Sequence, residues 1–301
     1  MLARAFQWLT LLLLGALGWW LWFALCYSAG VALAGLLLAA LVYGVLLGAP
    51  FLLLPRANQR DPAPGASPMQ LLRAWWHEGW LAILVFCWLQ PFRWSVIPDS
   101  AAAQRAPTGR RGVVLVHGFI CNRGLWTHWL AELRQRGHVF VAVNLEPVFG
   151  SIDGYARTID AAVAQVTATT GMPPLLVAHS MGGLAARAWL RACDGIARVH
   201  RVVTIGSPHH GTMLGHVGRG LAMMANAQQM VFDGSWLREL DRHETAISRA
   251  LFICYYSNCD NIVFPSSTAT LAGADNRHVA GVPHVALAFD QGLMQETLSL
   301  L

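Results

Sequence analysis

Hydrophobic positions near the start of the chain form two long runs that contain no charged residue. The runs cover residues 6–26 and 31–54. Each is long enough for a helix that crosses a hydrocarbon core about 30 Å thick. A short connection at residues 27–30 separates them. The pattern predicts two transmembrane helices, arranged as a hairpin in a membrane domain over residues 1–56.

The positions of the arginines predict which side of the membrane the chain occupies. Arg4 precedes the hairpin, Arg56 and Arg60 follow it, and no basic residue lies between them. The positive-inside rule then places both ends and the rest of the chain in the cytoplasm, with the hairpin in the inner membrane. A cleaved signal peptide is the main alternative, but the first run is too long and the second would stop transfer. A lipoprotein signal ending at Cys26 is disfavoured because bulky Leu25 precedes it.

Residues 57–111 form a bridge between the hairpin and the remainder of the chain. Asp61–Pro68 is a linker by its proline and glycine content, and residues 99–111 predict a second linker. The tryptophan-rich stretch at 69–94 predicts a helix, although its uninterrupted apolar part, Gly79–Leu89, is too short to span a membrane. This helix either lies in the membrane interface or packs on the following domain. A third crossing is the less favoured alternative.

From residue 112 to the end of the chain, short β-branched runs alternate with helical patterns. This alternation predicts an α/β catalytic domain over residues 112–301, with a mostly parallel, doubly wound sheet. The predicted strands are 112–117, 138–143, a strand with its apolar part at 175–177 that leads into Ser180, 199–205, 250–257 and 277–281. The predicted helices are 125–135, 152–169, 184–191 and 285–300.

Ser180 stands between a short apolar strand and a strong helix-forming stretch. The residues two before and two after it, Ala178 and Gly182, are small. A nucleophile elbow needs this arrangement, because its sharp turn brings strand and helix close together and lifts the serine hydroxyl to the tip. Ser180 is therefore a candidate nucleophile. A chance serine-glycine turn after a strand is the alternative at this point.

The loop His117-Gly118-Phe119 follows the first strand of this domain. Acyl transfer needs backbone amides aimed at the developing oxyanion, and the candidates are the amides of Phe119 and Met181. For His117 we favour a ring that fills the turn over a role in proton transfer.

A serine nucleophile needs a histidine base and a carboxylate that orients it, in the chain order serine, acid, histidine. Asp260 follows the strand at 250–257, and His284 follows the last strand. Asp275 is the alternative acid, although it precedes a strand. His278 is the weaker candidate for the base because it lies inside the last strand.

Two further stretches are candidates for the surroundings of a substrate pocket. His209 and His210 follow a strand, but no carboxylate or cysteine lies nearby at ligand spacing, which favours a structural loop over a metal site. The apolar, methionine-rich stretch at 221–231, which includes Met223 and Met224, is either core or a mobile lid that meets an acyl chain.

Composition narrows the classes of function. The chain has 301 residues, of which 55% are hydrophobic and only 12% charged, with a net charge of +5. All 21 basic residues are scattered arginines that form no tract, so we expect no nucleic-acid partner. We also expect neither metal nor other cofactor. The six cysteines lack metal spacing and are typical of buried free thiols. Neither the composition nor the cysteine spacing points to a particular oligomeric state.

The chain from residue 112 to 301 resembles the bacterial lipase and esterase branch of the α/β-hydrolase superfamily. The resemblance rests on five stretches in the family's order: 117–119, 147–153, 178–183, 206–212 and 234–237. It implies Ser180, Asp260 and His284 as a catalytic triad and Phe119 and Met181 as oxyanion donors.

This sequence departs from the family pattern in three ways. Ala178 replaces the first glycine of the elbow. Ala286 stands where the calcium-stabilised secreted lipases carry an aspartate, so we expect no calcium site. The membrane hairpin is also absent from those secreted lipases.

Together these features predict a membrane-anchored serine ester hydrolase that acts on lipid or acyl esters. We expect His117, Gly118, His179, Met223 and Met224 to line its substrate site. An acyltransferase or thioesterase would use the same triad, and a catalytically idle hydrolase fold that acts through binding is the alternative from another class. A transporter is disfavoured because the two spans carry no charged residue.

Overall fold

The computed structural model of the protein describes residues 2–100, 109–216 and 224–301. It begins with helix α1 (Leu2–Leu25) and helix α2 (Ala29–Ala57). Helix α1 starts four residues before the first predicted run and ends one residue before it does, and α2 extends beyond the second run at both ends. Ser28 caps α2 by accepting a hydrogen bond from the Val31 amide at 3.2 Å. In the described part of the chain these two helices are long and apolar enough to cross a membrane.

The predicted helix of the bridge is present and packs on the following domain. Helix α3 (Pro68–Leu84) starts with a capping box formed by Ser67 and Gln70 and continues as a π-helix (Val85–Arg93). Ala74 and Glu78 on one face of α3 are buried. The opposite face leaves the Trp76 and Trp80 rings exposed. The predicted second linker falls mostly on residues 101–108, outside the described residues.

A parallel sheet forms the centre of the domain that follows. Within the described residues its order is β2-β1-β3-β4-β5-β6, and every neighbouring pair is parallel. The strands are β1 (Val113–Val116), β2 (Phe140–Ala142), β3 (Leu175–His179), β4 (Arg201–Ile205), β5 (Phe252–Tyr256) and β6 (Asp275–His278). The predicted α/β architecture is confirmed.

Helices cover both faces of this sheet because the strand residues alternate between two buried clusters. Val114 and Val116 face one cluster, and Val113 and Leu115 face the other. The remaining helices are α4 (Thr127–Gln135), α5 (Ala156–Thr170), α6 (Met181–Ala192), α7 (Ala225–Gln229), α8 (Ser235–Arg242), α9 (Ala246–Arg249), α10 (His284–Leu287) and α11 (Gln291–Leu298).

Two predicted elements near the end of the chain were wrong in detail. The last strand starts at Asp275, two residues before the predicted start, and ends at His278. The single closing helix is divided into α10 and α11, because the Asp290 side chain accepts a hydrogen bond from the Leu293 amide at 2.8 Å and caps a new helix. This division leaves His284 at the start of a short helix of its own.

Candidate active site

Ser180 occupies a strained turn between β3 and α6. Its φ is 55° and its ψ is −129°, a backbone conformation that residues other than glycine rarely adopt. Its amide donates a hydrogen bond to the Ile205 carbonyl oxygen at 2.9 Å. A Cβ at Gly182 would lie 2.6 Å from the Val116 carbonyl oxygen. The small residue predicted at this position is therefore required for α6 to approach β1.

The loop after β1 runs beside Ser180. A Cβ at Gly118 would lie 2.7 Å from the Ser180 Cβ, so only glycine lets the loop approach this closely. The amides of Phe119 and Met181 donate to no acceptor among the described residues. Met181 is the first residue of α6, where an amide has no acceptor within its own helix. Neither amide therefore has an acceptor in this part of the structure that would compete with a bound ligand.

Asp260 and His284 form a buried pair at the same end of the sheet. The distance from His284 Nδ1 to Asp260 Oδ2 is 2.9 Å. The other carboxylate oxygen of Asp260 accepts hydrogen bonds from the amides of Ile262 at 2.9 Å and Val263 at 2.8 Å. Burial lowers the pKa of His284, but the charge and hydrogen bond of Asp260 and the charge of Glu78 outweigh it and raise the pKa above its usual value.

Gly206 makes room for this pair and did not emerge from the sequence as a site residue. It follows β4 with a φ of +56°. A Cβ at this position would lie 2.9 Å from Asp260 Oδ2 and 3.3 Å from His284 Nδ1. The signal was a glycine directly after a parallel strand, at the edge of the sheet where such folds place their sites.

Replacing Gly206 with alanine is expected to lower the activity of a folded enzyme by about 100-fold, because the new methyl group displaces the contact between acid and base. The measurement is kcat/KM for ester hydrolysis, together with the thermal midpoint. Gly171→Ala is the matched control, since Gly171 also has a positive φ, of +71°, but no atom lies within 4 Å of its Cβ position. Equal losses of activity in both variants would contradict the assigned role of Gly206.

Two asparagines that the sequence analysis missed tie the loop after β5 to the segment carrying His284. Asn261 Oδ1 accepts a hydrogen bond from the His284 amide at 3.2 Å. Asn258 Oδ1 accepts one from the Gly281 amide at 2.8 Å. The loop that supplies Asp260 therefore also fixes the backbone of His284. No local pattern distinguishes these asparagines from ordinary turn residues.

His117 and His179, which we expected to line the substrate site, are both buried and hydrogen-bonded to backbone. His117 Nδ1 is hydrogen-bonded to the Gly118 carbonyl oxygen at 2.9 Å, and Nε2 accepts a hydrogen bond from the Leu145 amide at 3.0 Å. Burial lowers the pKa of His117 to about 4. The ring of His179 donates to the His284 carbonyl oxygen at 3.1 Å. Burial and the charge of His284 lower the pKa of His179 to about 3. Both rings are thus neutral at pH 7, and both contact backbone atoms of other loops.

His209 and His210, and the described part of the possible lid at 221–231, make no recorded hydrogen bond to Ser180, Asp260 or His284. His209 is fully buried, with Nε2 3.0 Å from Thr204 Oγ1. In the described ranges no three potential ligands come together as a metal site. Met223 and most of the first half of the lid stretch lie outside the described residues. Met224 is half-buried and directly precedes α7.

A serine at a strained strand-helix turn, followed in the chain by a paired acid and histidine above a parallel sheet, defines the α/β-hydrolase class. The chain belongs to the alpha/beta hydrolase family, whose model matches residues 113–292. The matched region begins with β1 and ends in α11, so it excludes the two apolar helices and α3.

Solved structures with the same fold include lipases. The mature form of lipase BlEst2 from Bacillus licheniformis matches with a TM-score of 0.56 and 15% identity, over 65% of this chain and 94% of that chain. Lipase B from Aspergillus fumigatus matches with a TM-score of 0.51 and 20% identity, over 67% of this chain and 57% of that chain. At these identities the likeness establishes a shared fold. No curated protein matches the chain.

Proposed function

We propose that the protein is a membrane-anchored serine ester hydrolase that acts on lipid or acyl esters. The observation that supports this proposal most strongly is the 2.9 Å contact between His284 Nδ1 and Asp260 Oδ2, at the same end of the sheet as the Ser180 elbow. The free amides of Phe119 and Met181 complete the groups that acyl transfer requires.

In the proposed reaction the neutral His284 ring takes the Ser180 proton through Nε2 as the hydroxyl oxygen attacks the ester carbonyl. Asp260 accepts the hydrogen bond from Nδ1 and stabilises the imidazolium that forms. The amides of Phe119 and Met181 hold the oxyanion of the tetrahedral intermediate. His284 then protonates the leaving alcohol, and water activated by the same ring releases the acyl group from Ser180.

The substrate class is inferred from the surroundings of the domain. The apolar helices α1 and α2 expose most of their side chains, and the surface continues over Trp76 and Trp80 of α3. Between α2 and α3 lies an apolar groove of about 920 Å³ whose lining does not include Ser180, Asp260 or His284. These surfaces favour residence at a bilayer, where an ester of a lipid or long acyl chain would be within reach.

The test is hydrolysis of p-nitrophenyl esters from acetyl to palmitoyl by the full chain purified in detergent, with and without a fluorophosphonate. We expect hydrolysis that a stoichiometric amount of the fluorophosphonate abolishes, and the preferred chain length separates esterase from lipase. Folded protein that neither hydrolyses any ester nor binds the probe would rule out the proposal. Probe binding with product formed only when an alcohol, amine or thiol acceptor is present would indicate acyl transfer instead.

The proposed topology predicts which side of the membrane reaches Cys26. This exposed thiol lies at the turn between α1 and α2, opposite the helix ends that the proposal places in the cytoplasm. In intact bacterial spheroplasts a membrane-impermeant maleimide should label wild-type protein and fail to label Cys26→Ser. Labelling that appears only after the membrane is permeabilised would reverse the proposed orientation.

A further inference from the structure

A buried carboxylate from outside the hydrolase domain contacts the segment that carries His284. Glu78 lies on α3, and only 2% of its surface is exposed. Its Oε1 accepts a hydrogen bond from the Val285 amide at 2.9 Å, and its Oε2 contacts the same amide at 3.2 Å and the Ala286 amide at 3.3 Å. The region that matches the family model starts only at residue 113.

These contacts determine where His284 can lie. Val285 and Ala286 directly follow His284 in α10, and first-turn amides of a helix have no acceptor within that helix. Glu78 supplies the missing acceptor. Burial raises the pKa of Glu78 to about 7, against the hydrogen bond from Val285 and the attraction of His284, both of which lower it. A carboxylate kept in so costly an environment needs the partners that it finds here.

The same stretch of chain also contacts the loop that contains Phe119. Gln90, on the π-helix that continues α3, accepts a hydrogen bond from the Asn122 amide at 2.6 Å. The Asn122 side chain returns one to the Gln90 carbonyl oxygen at 3.0 Å. Asn122 ends the loop that contains Phe119, so the segment from α3 through the π-helix is bonded both to this loop and to the turn that begins at His284.

We propose that Glu78 is a positioning residue for the catalytic histidine, supplied by the membrane-proximal helix α3. It holds the turn that begins at His284, and in its ionised form it stabilises the imidazolium formed during the reaction. The inference rests on the proposed function. It adds a contribution from a helix that the hydrolase fold does not itself contain.

The test compares wild type, Glu78→Gln and Glu78→Ala as full chains in detergent, with Glu244→Gln as the matched control. Glu244 is also a largely buried carboxylate, but its partners are Arg187 at 2.5 Å and Arg249 at 3.1 Å. We expect kcat to fall by about 10- to 100-fold in Glu78→Ala with little change in KM, because a displaced base slows chemistry rather than binding. The fall should be smaller in Glu78→Gln, which loses the charge but keeps an oxygen that can accept from the Val285 amide. The rate of fluorophosphonate labelling should fall in parallel.

The pH profile separates positioning from a purely structural role. The charge of Glu78 raises the pKa of His284, and activity needs the neutral ring. The acid limb of kcat/KM should therefore move to lower pH in Glu78→Gln and stay in place in Glu244→Gln. The other titratable groups that face this pair are Asp260, His179 and Tyr43, and they are the same in every variant.

Three results would overturn the inference. The first is a Glu78→Gln variant whose kcat and pH profile equal those of wild type. The second is a loss of activity in the Glu78 variants that is fully explained by the unfolded fraction measured by circular dichroism. If wild type neither hydrolyses esters nor binds the probe, the proposed function fails and the inference fails with it. An active wild type beside an unaffected Glu78→Gln would remove the inference alone.

Discussion

Replacement of Ser180 with alanine is expected to lower kcat for ester hydrolysis on the order of 10⁶-fold and to abolish fluorophosphonate labelling. Ser180 holds a backbone conformation that side chains rarely adopt, and the loop at Gly118 runs against its side chain. In the proposed reaction its hydroxyl forms the covalent bond, so no neighbouring group can take its place. Activity and labelling are measured on the same preparations.

Ser207→Ala is the matched control for this experiment. Ser207 is a fully buried serine just beyond β4, and its hydroxyl has no hydrogen-bond partner within the described residues. Its loss should leave activity and labelling near wild-type values. If Ser180→Ala retained ester hydrolysis with normal folding, Ser180 would not be the nucleophile. Labelling of another residue in Ser180→Ala would identify a different one.

Asp260→Asn is expected to lower kcat by about 10⁴-fold with little change in the fold. Asp260 Oδ1 already accepts two backbone amides, from Ile262 and Val263. The oxygen of an asparagine would keep those bonds, which turns its NH₂ group toward His284 Nδ1. That nitrogen would then accept a hydrogen bond, and the ring proton would move to Nε2. A ring protonated at Nε2 cannot receive the Ser180 proton.

The control for this variant tests the other acid that the sequence allowed. Asp275 starts β6, is exposed, and pairs with Arg277 at 2.6 Å. We expect Asp275→Asn to keep activity within about twofold of wild type, because surface ion pairs contribute little. The measurement is kcat at several pH values for both variants. A larger loss in Asp275→Asn than in Asp260→Asn would reverse the assignment of the acid.

The local features of the fold and of the Ser180 turn were predictable from the sequence. Short, continuous apolar runs mark the parallel strands, because strands that are buried on both faces are apolar and rich in β-branched residues along their length. Small residues on both sides of Ser180 mark the elbow. The sequence left Asp260 and Asp275 as alternatives, and their different surroundings appear only once β5 and β6 are paired in register.

The features that the sequence did not reveal depend on contacts between distant residues or on competing local signals. The closing helix is divided because the capping side chain of Asp290 outweighs the helical pattern around it. Gly206 matters because Asp260 and His284 meet over it. Glu78 interrupts an apolar stretch and gives no local sign of its partners, because these lie more than 200 residues later in the chain.

The distance along the chain between Glu78 and Val285 also delays their contact during synthesis. Glu78 and Val285 are 207 residues apart. At roughly 5–20 residues per second, translation takes about 10–40 s to pass from one to the other. For that interval the first three helices are complete while the Glu78 carboxylate lacks both of its amide partners. The docking of α10 onto α3 is therefore a late assembly step, and the nascent chain cannot hold His284 in place before its last segment has been made.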